Sequence, residues 1–365
     1  MIDIFDEIID PREGGKVIYD LHEILTLSLL AMLCGAEDYE EIEDYGHLKL
    51  DFLRTFLTLE NGIPSASTIQ RIFRYLCPKE LVSCMSKNMV QIMEFKEQYL
   101  LNIDGKVLRG TATKGKKKSG ICILTAWSQE HNLVLGQLKI DEKSSEKTAI
   151  PELIEMLDLE NAIVSIDAIA CTNNIAKPII DGGGNYIIAV KNNKKGLKEE
   201  MTDWLDRGHS DFDVFQKTDS VGGRIEQQIY TVCTDLQHLC QDDLLYEGKS
   251  IIKVWSKRTI GNQIQEETRY YISSLKASAE RFAQLIRGHW SIENQLHWHL
   301  DVSFNEDKSR VRKDNGPENM NIMRKLILQI LKSTIDKKSI KKRRKNAGWD
   351  NDYLIEILET HFSRI

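Results

Sequence analysis

Three carboxylates, far apart in the 365-residue chain, occur in segments that could bring them to one metal centre. Asp104 ends the apolar run 99–104, Asp167 ends the run 162–167, and Glu293 lies in a stretch typical of a helix. Phosphodiester cleavage needs an activated oxygen nucleophile and a stabilised leaving oxygen, which two divalent ions about 3.5 to 4 Å apart supply. Mg²⁺ prefers oxygen ligands. We therefore predict that all three acids are catalytic and bind two Mg²⁺ or Mn²⁺ ions.

Residues near Glu293 allow other interpretations. Asp301 is a competing acid, but eight residues of helix separate it from Glu293 by about 12 Å, so both cannot easily serve one ion pair. Histidines at helical spacing can share a zinc ion. The histidines near Glu293 are His289, His297 and His299, and no His-Glu-x-x-His spacing occurs among them. We favour contact with phosphates or packing against aromatic side chains as their role.

Cationic and polar side chains near the three acids are candidate contacts to a phosphate backbone. They follow the first acidic run, follow the apolar run 186–190, or flank Glu293. For the arginines, surface salt bridges with neighbouring acids are the alternative. The predicted DNA-binding residues are Lys106, Arg109, Lys191, Asn192, Lys194, Arg287, His289, Arg310 and Arg312.

The elements that must position the acids begin near residue 96. Three β-rich runs, a helix, and then strands alternating with helices give the order of an RNase H-like core within an α+β or α/β fold. In that order the first and fourth strands are neighbours, which would bring Asp104 close to Asp167. Residues 207–275 are interpreted as a β-rich insertion. The predicted strands of the core are 99–104, 121–129, 133–140, 162–167 and 186–190, with helices at 146–159, 172–181 and 196–206.

Residues 1–95 have helical periodicity, at 21–33, 39–59 and 68–93. The segment 63–74 resembles the start of the second helix of a helix-turn-helix, with Ser65 or Ser67 as its cap. In that case Gln70, Arg71 and Arg74 would face DNA. A plain helical hairpin shows the same pattern more often.

Charge is distributed unevenly, although the formal net charge is only −6. Residues 1–60 hold 4 Lys/Arg and 15 Asp/Glu (−11), whereas residues 308–345 hold 14 Lys/Arg and 3 Asp/Glu (+11). The basic part includes the run 341–345 and can gain affinity for phosphates by releasing counterions. The alternative is a solvated helix face with a charged tail.

Cysteine spacing and hydropathy exclude several classes. Seven cysteines without paired Cys-x-x-Cys spacing argue against a disulfide framework and a structural zinc site. The longest apolar stretch, 24–36, is too short to cross a bilayer, and no export signal precedes it. We expect a cytoplasmic protein without a membrane partner.

Three motifs then show a resemblance to a known family. Asn102-Ile-Asp-Gly-Lys-Val-Leu-Arg-Gly110, Ser165-Ile-Asp-Ala168 and the segment 288–307 resemble the acidic motifs of ISAs1-type insertion-sequence transposases, also known as H-repeat-associated proteins. Asn61-Gly-Ile-Pro-Ser65 resembles part of that family's amino-terminal associated domain. The similarity spans nearly the whole chain, and the third motif is the most specific.

This resemblance implies a bacterial DDE transposase that acts on double-stranded DNA at the terminal inverted repeats of its own element and at a target. It assigns the triad to Asp104, Asp167 and Glu293, and implies a nucleoid-associated homodimer that pairs two ends. The expected domains are a helical, possibly DNA-binding unit at 1–95, an RNase H-like catalytic domain at 96–335, and a basic tail with a short helix at 336–365.

Some positions depart from related patterns. A tyrosine, an arginine and a lysine flank the glutamate in the IS4-type signature, whereas this chain has Ile286, His289 and Leu300. Ala170 replaces an expected glycine, and the segment 65–68 lacks an expected His-Asp pair. Three hypotheses therefore stay open: an active transposase, a catalytically inactive or domesticated DNA-binding descendant, and a general nuclease.

Overall fold

The computed structural model describes residues 4–90, 98–112, 120–140 and 145–362. The chain begins with helices, and the first is apolar on all sides because it is buried on all sides. Asp20 caps it by accepting a hydrogen bond from the Glu23 N–H. These helices are α1 (Leu21–Leu33), α2 (Tyr39–Leu48), α3 (Leu50–Leu53), α4 (Ala66–Tyr75) and α5 (Pro78–Val90).

Two of the predicted helices are divided in the structure. The predicted helix 39–59 forms α2 and α3 and stops at Leu53, before Leu59 takes a positive φ of 45°. The predicted helix 68–93 forms α4 and α5, because Pro78 lacks an amide proton and is tolerated only in a first helical turn. The end of that prediction, 91–93, lies outside the described residues.

The predicted RNase H-like core is present. Its elements are β1 (Tyr99–Leu108), β2 (Ile121–Ser128), β3 (Leu133–Ile140), α6 (Glu146–Glu155), β4 (Ala162–Ile166), α7 (Asn173–Asp181), β5 (Asn185–Val190) and α8 (Lys195–Asp206). Strands β1 to β3 are antiparallel neighbours, and β4 and β5 run parallel to β1. The first and fourth strands are therefore adjacent, as predicted.

Residues 207–275 extend this sheet rather than forming a separate unit. They contain β6 (Asp213–Val221), β7 (Arg224–Cys233), β8 (Ser250–Ile260) and β9 (Gln263–Ser273). Strand β9 pairs with β5, which gives one nine-stranded sheet within the described residues, in the order β3-β2-β1-β4-β5-β9-β8-β7-β6.

The remaining helices cover the sheet and join the amino-terminal ones. They are α9 (Ala279–His289), a π-helical segment (Ile292–His297), α10 (Trp298–Ser303), α11 (Gly316–Ser333), α12 (Ile340–Trp349) and α13 (Asn351–Phe362). Residues of α1, α4, α11 and α13 share one apolar core, which also includes Trp127 and Val134 of the sheet. The core thus crosses the predicted boundary near residue 95. None of the described helices is both long and apolar enough to cross a membrane.

Candidate active site

The pairing of β1 with β4 places two of the acids side by side. The last paired residues of these parallel strands are Ile103 and Ile166, and Asp104 and Asp167 follow them directly. Strand β1 continues along β2 to Leu108, so Asp104 lies within a strand rather than at its end, at the point where β4 leaves the sheet. Both aspartates line one cleft of about 810 Å³.

Glu293 reaches the same cleft from the π-helical segment. Its carbonyl oxygen accepts the Trp298 N–H, a five-residue spacing that characterises a π-helix. Ile292 and Leu296 of this segment are buried in the core, whereas the Glu293 side chain is exposed to the cleft. Single π turns inside α-helices are frequent at functional sites.

A buried asparagine fastens the start of this segment to the sheet. Asn102 Nδ2 donates to the Gly288 carbonyl at 3.1 Å and to Ser291 Oγ at 3.0 Å. Gly288 permits the close approach, since a Cβ there would lie 2.4 Å from Leu100 Cδ2. Strand β1 therefore carries Asp104 and also holds the helix that leads to Glu293.

Asp104 is surrounded by negative charge. Burial, together with the charges of Glu293, Glu146 and Asp167, raises its pKa to about 7. The basic side chain in contact with this carboxylate is His297, whose Nδ1 lies 3.6 Å from Asp104 Oδ2. Burial and nearby lysines lower the pKa of His297 to about 3, so this imidazole is neutral at pH 7 and does not compensate the carboxylate.

Asp167 has a cationic partner. Lys191 Nζ donates to its two carboxylate oxygens at 2.9 and 3.1 Å. Burial alone would raise the pKa of Asp167, but the hydrogen bonds from Lys191 and the Ala168 N–H, with the Lys191 charge, hold it below its usual value. The Lys191 ammonium group therefore lies where a positive charge stabilises the ionised form of Asp167.

The donor set suits hard divalent cations. Asp104, Asp167 and Glu293 offer only carboxylate oxygens, which Mg²⁺ and Mn²⁺ prefer. Among the described residues, Glu293 makes no hydrogen bond or ion pair and Asp104 has no charged lysine or arginine partner, so a bound cation would relieve their repulsion.

The structure does not support the zinc alternative. Within the described ranges, one group of His, Cys, Asp or Glu side chains brings three ligand atoms within 4.8 Å of one another, and it consists of Glu200, Cys240 and Asp243. His289 instead hydrogen bonds through Nδ1 to Ser165 Oγ at 3.0 Å. The carboxylate oxygens of Asp104, Asp167 and Glu293 do not all lie within 4.8 Å of one another either. They lie at different points around the cleft.

The competing acid Asp301 is used elsewhere. Its Oδ1 lies 2.6 Å from Lys106 Nζ, and Lys106 also lies 3.8 Å from Asp307. Asp301 is not among the residues that line the acidic cleft. Glu293 is therefore the helical acid that the fold brings to the two aspartates.

The predicted DNA-binding residues divide into three groups. Lys191, Asn192 and His289 line the cleft with the acids, and Lys194 ends the short turn after β5. Others are engaged with protein groups: Lys106 with Asp301, Arg109 with Asp307, Arg287 with Asp219, and Arg312 with the Gly110 carbonyl. Arg310 lines a second cleft, between the 304–311 segment and α2 and α4.

In segment 63–74, Ser65 occupies the N-cap position of α4, but its side chain makes no capping hydrogen bond and instead contacts the Ser67 and Thr68 hydroxyls. Arg74 is paired with Asp314 at 2.6 Å, whereas Gln70 and Arg71 are exposed. Whether they contact DNA stays a prediction.

Arg269 and Glu146 were not anticipated from the sequence. The guanidinium carbon of Arg269 on β9 lies 4.8 Å from the Trp290 ring centroid, and both residues line the cleft. Glu146 on α6 places its carboxylate against Gly105. Both residues lie in polar stretches without a motif, so only the strand order and the helix position reveal them.

Comparison with known proteins shows which family the chain is similar to. A family model described as "Transposase DDE domain" matches residues 96–330, and one described as "DDE_Tnp_1-associated" matches residues 2–89. Two Escherichia coli K12 proteins, "H repeat-associated putative transposase YhhI" and "Putative protein YbfL", are each 36% identical over 358 residues, which cover 96% of this chain and 95% of theirs.

A solved structure of the piggyBac transposase synaptic complex with hairpin DNA aligns with 99% of this chain and 76% of its own, at 12% identity and a TM-score of 0.43. The family model for the DDE domain covers well over half of the chain. The chain therefore belongs to the family of transposases with a DDE domain.

Proposed function

We propose that this transposase cleaves DNA at the ends of an ISAs1-type insertion sequence and joins the freed 3′ hydroxyl to a target strand. The observation that carries the proposal is the single cleft lined by Asp104, Asp167 and Glu293. Asp104 and Asp167 would hold two Mg²⁺ or Mn²⁺ ions from the sheet, and Glu293 would complete the site from the helix. Bound there, the ions would activate the oxygen nucleophile and stabilise charge on the leaving oxygen.

The same site serves two successive displacements at phosphorus. In the first, a water oxygen bonds to phosphorus and the bond to the 3′ oxygen breaks, which leaves a 3′ hydroxyl. In the second, that hydroxyl oxygen bonds to a target phosphorus and displaces the target's 3′ oxygen. Lys191, paired with Asp167, and Arg269, paired with Glu267, both line the cleft, so they are placed to contact the phosphate backbone near the reacting group.

Two of the departures from the IS4-type signature lie away from the cleft. Ile286 and Leu300 are buried, at 4% and 0% exposure, so polar side chains at these positions would not face the cleft. Cations reach the cleft from β9 and from the end of β5 instead. This favours an active enzyme over a catalytically inactive or domesticated DNA-binding descendant.

The test uses DNA ends taken from inverted repeats that flank the coding region. Alanine at Asp104, Asp167 or Glu293 is expected to abolish Mg²⁺-dependent nicking while binding of the same DNA in EDTA persists. The matched control is Asp301→Asn, which removes a nearby acid outside the cleft and is expected to leave nicking measurable. Cleavage that survives in the Asp104 variant would remove that residue from the mechanism.

Two further outcomes separate the competing hypotheses. A DNA-binding descendant would bind the ends without nicking in either Mg²⁺ or Mn²⁺, and a general nuclease would cut unrelated DNA equally well. We also propose a homodimer that pairs two ends, since strand transfer of an element requires both. Light scattering of the protein with end DNA should then give two chains per pair of ends.

A further inference from the structure

Glu146 is the first residue of α6, whose start is fixed by a capping box between Ser145 and Thr148. Its side chain is half-buried and turns toward β1, beside the cleft that Asp104, Asp167 and Glu293 line rather than among its lining residues. A Cβ built on Gly105 would lie 2.4 Å from Glu146 Oε1, so this carboxylate rests on the backbone immediately after Asp104. The Cys122 thiol of β2 lies on the same side, 3.4 Å from that Cβ position.

Glu146 interacts electrostatically with both aspartates. Its charge contributes to the raised pKa of Asp104. In turn, burial and the charge of Asp167 raise the pKa of Glu146. Asp104 and Asp167 are therefore each coupled electrostatically to Glu146. This carboxylate lies on α6, an element that carries no member of the triad.

Within the described residues, the Glu146 carboxylate makes no hydrogen bond or ion pair, although it is half-buried. Placing a carboxylate where burial and like charge both oppose ionisation costs free energy. The partial positive charge at the start of α6 offsets only part of that cost. A cation between Glu146 and the aspartates would offset the rest.

We propose that Glu146 is a fourth metal-binding carboxylate of the active site, which reaches the ion pair from α6 across Gly105. The inference rests on the proposed function, because it assigns Glu146 to the divalent ions that the triad would hold. Glycine at position 105 then has a specific role. Any side chain there would occupy the place of the Glu146 carboxylate.

The first experiment measures metal binding rather than catalysis. Mn²⁺ is titrated into the full-length wild-type chain, Glu146→Gln and the control Glu155→Gln, and followed by calorimetry and by the paramagnetic resonance signal of free Mn²⁺. Glu155 is an exposed acid on the same helix. We expect Glu146→Gln to weaken at least one Mn²⁺ site by about tenfold or more, and Glu155→Gln to match wild type. Wild-type affinity and stoichiometry in Glu146→Gln would overturn the proposal.

Gly105→Ala provides a second, independent variant that keeps the carboxylate but displaces it. Since the clash falls on the flexible end of a side chain, the fold should tolerate it. We expect the same weakening of Mn²⁺ binding as in Glu146→Gln and no further loss in the double variant. Additive losses would show that the two residues act separately and would contradict a shared role.

Asp104→Asn distinguishes failure of this inference from failure of the proposed function. If it loses Mn²⁺ and Glu146→Gln does not, the triad stands and Glu146 is only a helix-terminal acid. If both variants bind Mn²⁺ like wild type, the metal centre itself is misassigned. A purely structural Glu146 would change metal-free melting of the protein and leave its Mn²⁺-dependent stabilisation intact.

Discussion

At Asp104, burial and three neighbouring carboxylates raise the pKa from 3.8 to about 7. Between these two values the unfolded chain has released a proton that the folded chain still holds. Folding stability therefore falls as pH rises through this window and levels off above pH 7. In the metal-free protein at pH 8, the ionised Asp104 carboxylate is destabilising.

Replacing Asp104 by asparagine should accordingly stabilise the metal-free protein. We expect a gain of roughly 1 to 4 kcal/mol at pH 8, from a shift of about three pKa units at 1.36 kcal/mol each with partial solvent screening. The gain should shrink to well under its pH 8 value near pH 4, where the folded carboxyl is protonated and the unfolded one is about half protonated. Urea unfolding in EDTA at the two pH values measures it.

Asp301→Asn is the matched control for this prediction because it should have the opposite effect. It leaves the largely buried Lys106 ammonium without its 2.6 Å partner, so stability at pH 8 should fall. A loss of stability in Asp104→Asn at pH 8 would show that the carboxylate is already compensated.

The sequence predicts the proposed triad more readily than the residues around it. Asp104 and Asp167 follow apolar runs that the strand order makes adjacent, and Glu293 lies in the most specific motif of the resemblance. Glu146 and Arg269 come from elements whose distance to the triad depends on how α6 and β9 pack. No local pattern encodes that distance.

At the scale of elements, apolar periodicity predicts one continuous helix over 279–300, around Glu293, whereas the structure divides this stretch. The run 279–300 contains α9, the π-helical segment and the start of α10. A π turn adds one residue to a helical turn without changing composition, so apolar periodicity shows only a continuous helix. The contacts of Asn102 with Gly288 and Ser291 fix the chain just before this segment.

Asn102→Ala tests that anchor. The change leaves the buried Gly288 carbonyl and Ser291 hydroxyl without their donor, which should cost about 1 to 3 kcal/mol of stability. Because α9 leads directly to Glu293, DNA nicking should fall as well, even at temperatures where the variant is fully folded. Asn262→Ala, at the β8–β9 turn, is the control and should alter neither property. Normal nicking by a destabilised Asn102→Ala would limit the asparagine to a structural role.

The strands beyond residue 207 are longer than their sequence predicts. The pattern indicates 251–256 and 269–274, whereas β8 spans Ser250–Ile260 and β9 spans Gln263–Ser273. The distal half of β9 is exposed and that of β8 is mostly half-buried, and both are largely polar, so only the proximal ends that join the core show a recognisable apolar pattern. The rest of each strand is held by backbone pairing within the β6–β7 and β8–β9 hairpins. These hairpins turn at Gly222-Gly223 and at Gly261.

At the scale of the whole molecule, the amino-terminal helices and the carboxyl-terminal helices complete one core. Periodicity predicted most of these helices but not their docking, because contacts across more than 200 residues leave no local signal. One such contact is that of Arg344, whose guanidinium donates to the carbonyls of Met32 and Ser303 and lies over the Phe304 ring. The predicted basic tail is thus a packed pair of helices, α12 and α13.

The basic run 341–345 consequently has two kinds of residue. Arg343 and Arg344 are buried, at 7% and 5% exposure, and hydrogen bond to protein groups. The lysines of the run are exposed on α12, and their side chains make no hydrogen bond or ion pair with the described residues; they are Lys341, Lys342 and Lys345. Only the lysines are free to release counterions from DNA.

Two variants separate these contributions. Replacing the three lysines by alanine should leave stability within about 0.5 kcal/mol. It should weaken DNA binding similarly for all sequences and reduce the slope of log affinity against log salt by up to about 3, roughly one for each lost phosphate contact. Arg344→Ala should instead lower stability by roughly 2 to 4 kcal/mol, since it strands buried carbonyls. A wild-type salt slope in the triple variant would show that α12 presents a solvated face, and DNA affinity would then have to come from cations nearer the acidic cleft.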